Sequence, residues 1–148
     1  MSCCALYEYA NYKSLALTGA DRFYVEPRVS DTSDGYRFTI TEAAINSKGD
    51  TLYLELQSVY WPWMKEPTII DHFWAVDSLG NRYLPRHEAQ YDDVPKVKPS
   101  GGFYSTCISS DQLKIIHFDS RAEWVELRYD RDGREIILHI DLTGGDGE

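Results

Sequence analysis

The sequence predicts an all-β protein: one domain, built as an antiparallel β-sandwich of seven to nine strands. Three observations predict it. Residues 124–142 (WVELRYDRDGREIILHIDL) alternate apolar and polar side chains on two arms around an Asp132-Gly133 turn. Residues 36–60 repeat the pattern around Ser47-Lys48-Gly49-Asp50. Turn-rich clusters recur at roughly regular spacing through the rest of the chain, and no segment carries a convincing helical period.

The elements follow in order. Residues 1–35 are weakly patterned, with a short strand expected at residues 22–25 and a polar, turn-rich loop at residues 30–35 (SDTSDG). In residues 36–60, Phe38 and Ile40 alternate on the first arm, and Leu52, Leu54 and Leu56 on the second. A Lys48-Gly49 loop pairs Ile45 with Leu52 and Ala43 with Leu54. Phe38 and Ile40 then have the opposite parity to Ala43 and Ile45. One extra residue in 41–44 would turn both sets inward, so a β-bulge or strand break is expected there. Trp61-Pro62-Trp63-Met64-Lys65-Glu66-Pro67 ends the arm, because its two prolines exclude a central strand.

Residues 69–76 read as a strand buried on both faces, since the apolar run is nearly continuous. Asp77-Ser78-Leu79-Gly80-Asn81 turns the chain, and residues 82–84 return it before Pro85. Residues 86–102, rich in charge, proline and glycine, read as a long mobile loop. Residues 103–108 and 113–118 are two short strands. In the last hairpin, an even loop sets Tyr129 opposite Ile136, Leu127 opposite Leu138 and Val125 opposite Ile140, all on one face. The competing type I turn with Gly133 in a bulge shifts the pairing by one and sets Leu127 opposite Ile137. The even loop is therefore favoured, and it places Glu126–His139 and Arg128–Ile137 on the outer face. Residues 144–148 form a frayed tail.

Composition bounds the function. A chain of 148 residues suits one domain and buries a sizeable core without disulfides or metal. Hydrophobic content of 43% and charged content of 26% are ordinary for a globular protein, whereas eleven tyrosines are many and suit both strands and binding surfaces. The net charge of −9, with Lys and Arg scattered, argues against nucleic acid as a partner and permits a basic one. No apolar run approaches the length of a membrane span. Three cysteines, two of them adjacent (Cys3 and Cys4), are not a disulfide framework, and Cys107 suits a small buried hydrophobe in a strand.

Several residue groups carry candidate chemistry. Trp61, Trp63 and Met64 form an aromatic and apolar cluster on a predicted loop. Exposed, it would stack on sugar rings or fill a partner's pocket; turned inward, it would cap one end of the core. His87-Glu88 with Asp92-Asp93, and likewise Asp31 with Asp34, gather possible metal ligands, but without the spacing of a dedicated calcium loop they read as solvated acidic loops. Cys107 and His117 fall on neighbouring predicted strands and read as core rather than as a thiolate–imidazole pair. His139 and Asp141 share an outer strand face with Glu126 across from them, and read as a surface polar group rather than as metal ligands. There is no GxSxG, phosphate-binding glycine loop or HExxH. No cofactor, no metal site and no enzymatic activity are expected.

The order of segments carries a resemblance. Ala44-Ile45-Asn46 with Leu52-Tyr53-Leu54-Glu55-Leu56 looks like a long first hairpin. The run from Phe73 through Asp77-Ser78-Leu79-Gly80-Asn81-Arg82-Tyr83 looks like the apolar strand, Asp, Gly, Tyr turn that follows it, and the last hairpin ends on Ile-Asp-Leu. Over residues 36–142 this resembles the immunoglobulin-like domains of bacterial lipoproteins and of anti-sigma-factor-like membrane proteins. The resemblance implies an immunoglobulin-like sandwich and a non-enzymatic binding or interaction module outside the cytoplasm, contacting a protein or a glycan. The start, Met1-Ser2-Cys3-Cys4, lacks the basic and apolar regions of a signal peptide. An extracytoplasmic location, at the cell surface or in the periplasm, is thus the expectation if an export segment was removed, with Cys3 or Cys4 as the lipid anchor. The alternatives are a cytoplasmic acidic inhibitor or immunity-type protein directed against a basic partner, and an enzyme or metal-dependent module whose site carries no recognisable motif.

Overall fold

The computed structural model describes residues 22–23, 29–33, 35–63, 72–89, 93–105, 108–131, 133 and 135–143. They form ten strands and no α-helix; a short 3-10 turn stands at Arg86–Glu88. The strands are β1 (Arg22–Phe23), β2 (Val29–Ser33), β3 (Tyr36–Ile45), β4 (Thr51–Val59), β5 (Trp74–Asp77), β6 (Arg82–Pro85), β7 (Lys96–Ser105), β8 (Ile108–Ile116), β9 (Trp124–Tyr129) and β10 (Ile136–Asp141). The all-β class is therefore as the sequence predicts.

The sheet is continuous in the order β1-β3-β4-β8-β7-β6-β5-β9-β10, with β2 also paired to β3. It curls until it is nearly closed into a barrel. The sequence reading expects two packed sheets instead. Turn spacing counts strands but does not say whether a hydrogen-bonded ladder breaks between them. Here β6 carries the ladder round the corner. It pairs antiparallel with β5 at Ala75↔Tyr83 and Val76↔Arg82, and parallel with β7 at Leu84↔Lys96 and Pro85↔Val97. At the seam the backbone N–H of Ile137 on β10 donates to Asp31 Oδ2 of β2 at 2.9 Å.

The local registers follow from the alternation. β9 and β10 pair Tyr129↔Ile136, Leu127↔Leu138 and Val125↔Ile140, with Glu126↔His139 and Arg128↔Ile137 on the other face. All six inner residues are buried, and Gly133 supplies the positive φ of the turn. β3 and β4 pair Ile45↔Leu52 and Ala43↔Leu54, and the register shifts between Ile40 and Glu42. Thr41 is the extra residue of that bulge. Its hydroxyl donates to Glu55 Oε1 at 2.5 Å, while Phe38, Ile40, Ala43 and Ile45 all enter one core.

Four expectations change. The polar segment read as a loop at residues 30–35 contains β2, an edge strand held by β3 through Val29↔Ile40 to Ser33↔Tyr36. The long loop at residues 86–102 gives way to the 3-10 turn and to β7, which pairs with β8 from Lys96↔Ile116 to Ser105↔Ile108. Pro99 is tolerated because the β6 pairing ends at Val97 and the β8 register shifts just beyond, between Pro99 and Gly101. The two short strands expected at residues 103–108 and 113–118 are instead the end of β7 and one long β8. In β5, Ala75 and Asp77 are buried while Trp74 and Val76 are half-buried, so the strand alternates rather than hiding both faces. Residues 69–71 lie outside the described residues.

The turn after β5 is tied by one carboxylate. Asp77 is 2% exposed. Its Oδ1 accepts from the backbone N–H of Leu79 (2.9 Å) and of Asn81 (3.0 Å), and its Oδ2 from Asn81 Nδ2 (3.0 Å) and the Tyr83 hydroxyl (2.7 Å). The Tyr83 oxygen in turn accepts from the N–H of Asp119 (3.2 Å), which joins this turn to the β8–β9 connection.

Candidate functional site

β4 leaves the sheet at Val59. Tyr60 then packs on Tyr36, with ring centroids 5.5 Å apart, and the aromatic series continues inward through Phe38, Phe73 and Tyr129. Immediately outside this buried series the chain presents Trp61 and Trp63. Their indoles are stacked, with centroids 5.3 Å apart and planes 4° from parallel. Trp61 is half-buried and Trp63 is 77% exposed, more than any other large apolar side chain among the described residues. Pro62 between them stiffens the backbone. Met64, the third member of the predicted cluster, lies outside the described residues.

A second aromatic group stands on the outer face of β5, β9 and β10. The register sets Trp74 beside Arg128. The guanidinium groups of Arg82 and Arg128 lie over the Trp74 ring at 4.6 and 5.7 Å, and the indole N–H donates to Asp130 Oδ1 at 3.2 Å. Glu126 accepts from Arg128 Nε at 2.9 Å and from its Nη2, and its other oxygen meets His139 Nδ1 at 2.9 Å. The His139 and Arg128 contacts hold the Glu126 carboxyl below the usual carboxylate range. The Trp124 ring covers His139 at 5.0 Å.

The candidate metal ligands do not converge. His139 and Glu126 pair with each other, while Asp141 accepts from the N–H and hydroxyl of Thr143 at 2.8 and 2.6 Å, contacts that lower its pKa. His87 Nε2 is 3.5 Å from Glu88, and Asp93 is exposed. Asp31 serves the seam. His117 is exposed at φ 60°. Asp34, Asp92, Cys3, Cys4 and Cys107 lie outside the described residues. Among the described residues no three His, Cys, Asp or Glu side chains are grouped to hold a metal ion, and no helix is long and apolar enough to cross a membrane.

The opposite end of the barrel carries carboxylates fixed by their own turns. Asn46 Nδ2 donates to Asp50 at 2.7 Å and lowers its pKa. Arg121 binds Asp119 through Nη2 at 2.7 Å and through its own N–H, which brings the Asp119 carboxyl to about 2.

Sequence reasoning singled out Trp61 and Trp63 from their type and loop position. It missed the Trp74–Arg82–Arg128 group, because that depends on β5 lying against β9, a pairing between segments some fifty residues apart. No protein-family model, curated protein or solved structure matches this chain.

Proposed function

We propose that this protein is a non-enzymatic binding or interaction module of the bacterial cell exterior, related to the immunoglobulin-like domains it resembles, and that it engages a glycan or a protein through Trp61 and Trp63. The observation that carries the reading is the stacked, outward-facing indole pair. Tryptophan is highly buried on average, so a ring exposed to 77% is set apart from the core rather than part of it. Here the exposed ring is backed by a second ring, next to a proline, at the end of β4 on the rim of a nearly closed sheet. That arrangement is pre-organised, so little side-chain freedom is lost when a sugar face or an apolar pocket covers Trp63. Burial of such an anchor contributes about 2 kcal/mol or more to a complex.

Because Trp63 is 77% exposed and stacks on Trp61, Trp63→Ala should cost no more than the stacked pair itself, about 0.5–1.5 kcal/mol, and leave the protein folded. It should also abolish binding on a glycan array or in capture of surface proteins from bacterial membranes. Retained binding by Trp63→Ala refutes the reading. A second reading, an acidic inhibitor directed against a basic partner, draws on the net charge of −9 and on the ionised carboxylates Asp50 and Asp119 at the far end of the barrel. Its mark would be binding that weakens steeply with salt and is indifferent to Trp63.

A further inference from the structure

We propose that the outer face of β5, β6 and β9 is a second docking surface, where Arg82, laid over Trp74, receives one carboxylate from an acidic side chain in a peptide segment of a partner protein. The alternation that sends Ala75, Tyr83, Val125 and Leu127 into the core turns Trp74, Val76, Arg82, Glu126 and Arg128 outward. One row across the sheet reads Arg82, Val76, Glu126, His139, and the next sets Trp74 beside Arg128. Trp74 and Val76 are half-buried, and Arg82 is exposed.

The other charged side chains of this face are engaged with one another or with their own turns. Glu126 is held by Arg128 and by His139. Asp130 accepts from the Trp74 indole, and Asp141 from Thr143. Arg128 also lies over the Trp74 ring, but its fork of donors is taken by Glu126. Arg82 differs. Its guanidinium carbon is 4.6 Å from the centre of the Trp74 ring, and among the described residues no carboxylate reaches it. Val76 separates it from Glu126 in the row.

A guanidinium held over an aromatic face is attracted through its charge and spends no N–H on the ring. Its donors stay available in the planar fork that matches a carboxylate with two parallel bonds. The ring also restricts the long side chain, so less freedom is lost when the carboxylate arrives. Charge complementarity sets the number of charges. One guanidinium is uncompensated, whereas Glu126, Asp130 and Asp141 lie nearby and the chain carries a net −9. A polyanion, whether nucleic acid or a run of acidic residues, is therefore repelled, and a single carboxylate is not. Trp74 and Val76 offer apolar contact beside Arg82, which suits a lone Glu or Asp between apolar neighbours.

The test titrates the isotope-labelled full chain with the capped tripeptide Val-Glu-Val, and with capped Val-Gln-Val as its neutral isostere. The signals followed are the Trp74 indole N–H and the Arg82 Nε–H. The Glu peptide should shift both and saturate with a Kd on the order of 1 mM, and the Gln peptide should bind about tenfold more weakly. Arg82→Gln should remove the preference for Glu, with the amide signals of Leu127 and Leu138 reporting that the core is intact. Trp63→Ala should change nothing. Equal affinity of the two peptides for the parent, or no shift at about 10 mM peptide, overturns the proposal without recourse to any variant. So does an undiminished Glu preference in Arg82→Gln, tighter binding of oligoglutamate than of Val-Glu-Val, or loss of binding in Trp63→Ala, which would move the contact to the other indole pair. Failure of Trp63 to bind a glycan or protein leaves these outcomes as they are.

Discussion

Asp77→Ala is the sharpest test of how the barrel end opposite the tryptophans is held. The substitution leaves four donors without their acceptor: the N–H groups of Leu79 and Asn81, the Asn81 amide and the Tyr83 hydroxyl. A hydrogen bond to a charged group contributes about 1.5–3 kcal/mol where water cannot replace it. Asn81 and Leu79 are exposed, so water re-solvates part of the turn, whereas Tyr83 is 1% exposed. Counting the buried hydroxyl fully and the turn as one further bond gives a loss of about 3–6 kcal/mol, out of a total of about 5–15 for a domain. Tyr83→Phe removes the same hydroxyl bond and strands the Asp119 N–H, for about 1–3 kcal/mol. Since the two changes share one bond, the double variant should be less destabilised than the sum by about 1–2 kcal/mol. Urea unfolding followed by tryptophan fluorescence gives all three values, with the m-value unchanged. A loss below about 1 kcal/mol for Asp77→Ala, or a coupling indistinguishable from zero, would show that the turn stands without this carboxylate.

Two further perturbations follow from the same geometry. Gly49 has φ +75°, and a Cβ there would lie 3.1 Å from Ser120 Oγ, whereas Gly133 at φ +76° faces open space. Both alanine variants incur the left-handed backbone cost of about 1–2 kcal/mol, but Gly49→Ala adds a steric term, so its melting temperature should drop further; equal drops would mean that the Ser120 contact is inconsequential. Stability should also depend on pH at both extremes. The carboxyls of Glu126, Asp119, Asp50 and Asp141 are held below their unfolded values, so their contributions are complete above about pH 5 and are lost as the pH falls through the folded values, which for Asp119 is about 2. Burial raises the Tyr83 phenol above its ordinary value of 10.0, so its contribution is complete below that pH and is lost above it. Chemical unfolding at intervals from pH 2 to 11 checks both limbs, and a flat acid limb would contradict the Glu126–His139 and Asp119–Arg121 contacts.

The parts of the fold that the sequence discloses are those decided by neighbours along the chain. The β9–β10 register was fixed by parity alone, since any odd slip would turn Leu127 away from the core. The bulge at Thr41 was legible for the same reason, because two apolar sets of opposite parity cannot share a face without an extra residue. β7 was illegible: Pro99, Gly101 and Gly102 have poor strand propensity, and only β8 supplies the hydrogen bonds that extend them. β2 is polar after Val29 and is a strand because β3 offers it an edge. The aromatic character of Trp61 and Trp63 was plain, but their mutual stacking and the exposure of Trp63 were not.

The Asp31–Ile137 contact at the seam joins residues 106 positions apart, one near each end of the described chain. A sheet whose strands β2 and β10 must meet cannot be completed before residue 137 has left the ribosome. Until residue 137 has left the ribosome, β2 has no partner across the seam, and the flank of β9 that β10 will cover stays open. Such long-range pairing is slow, on the order of milliseconds to seconds. The incomplete ring is therefore the state in which unpaired strand edges are most available to other chains. Closing the seam with a carboxylate rather than with a full backbone ladder also leaves a negative charge at that edge, which disfavours pairing with a second copy of this acidic protein while the seam is open.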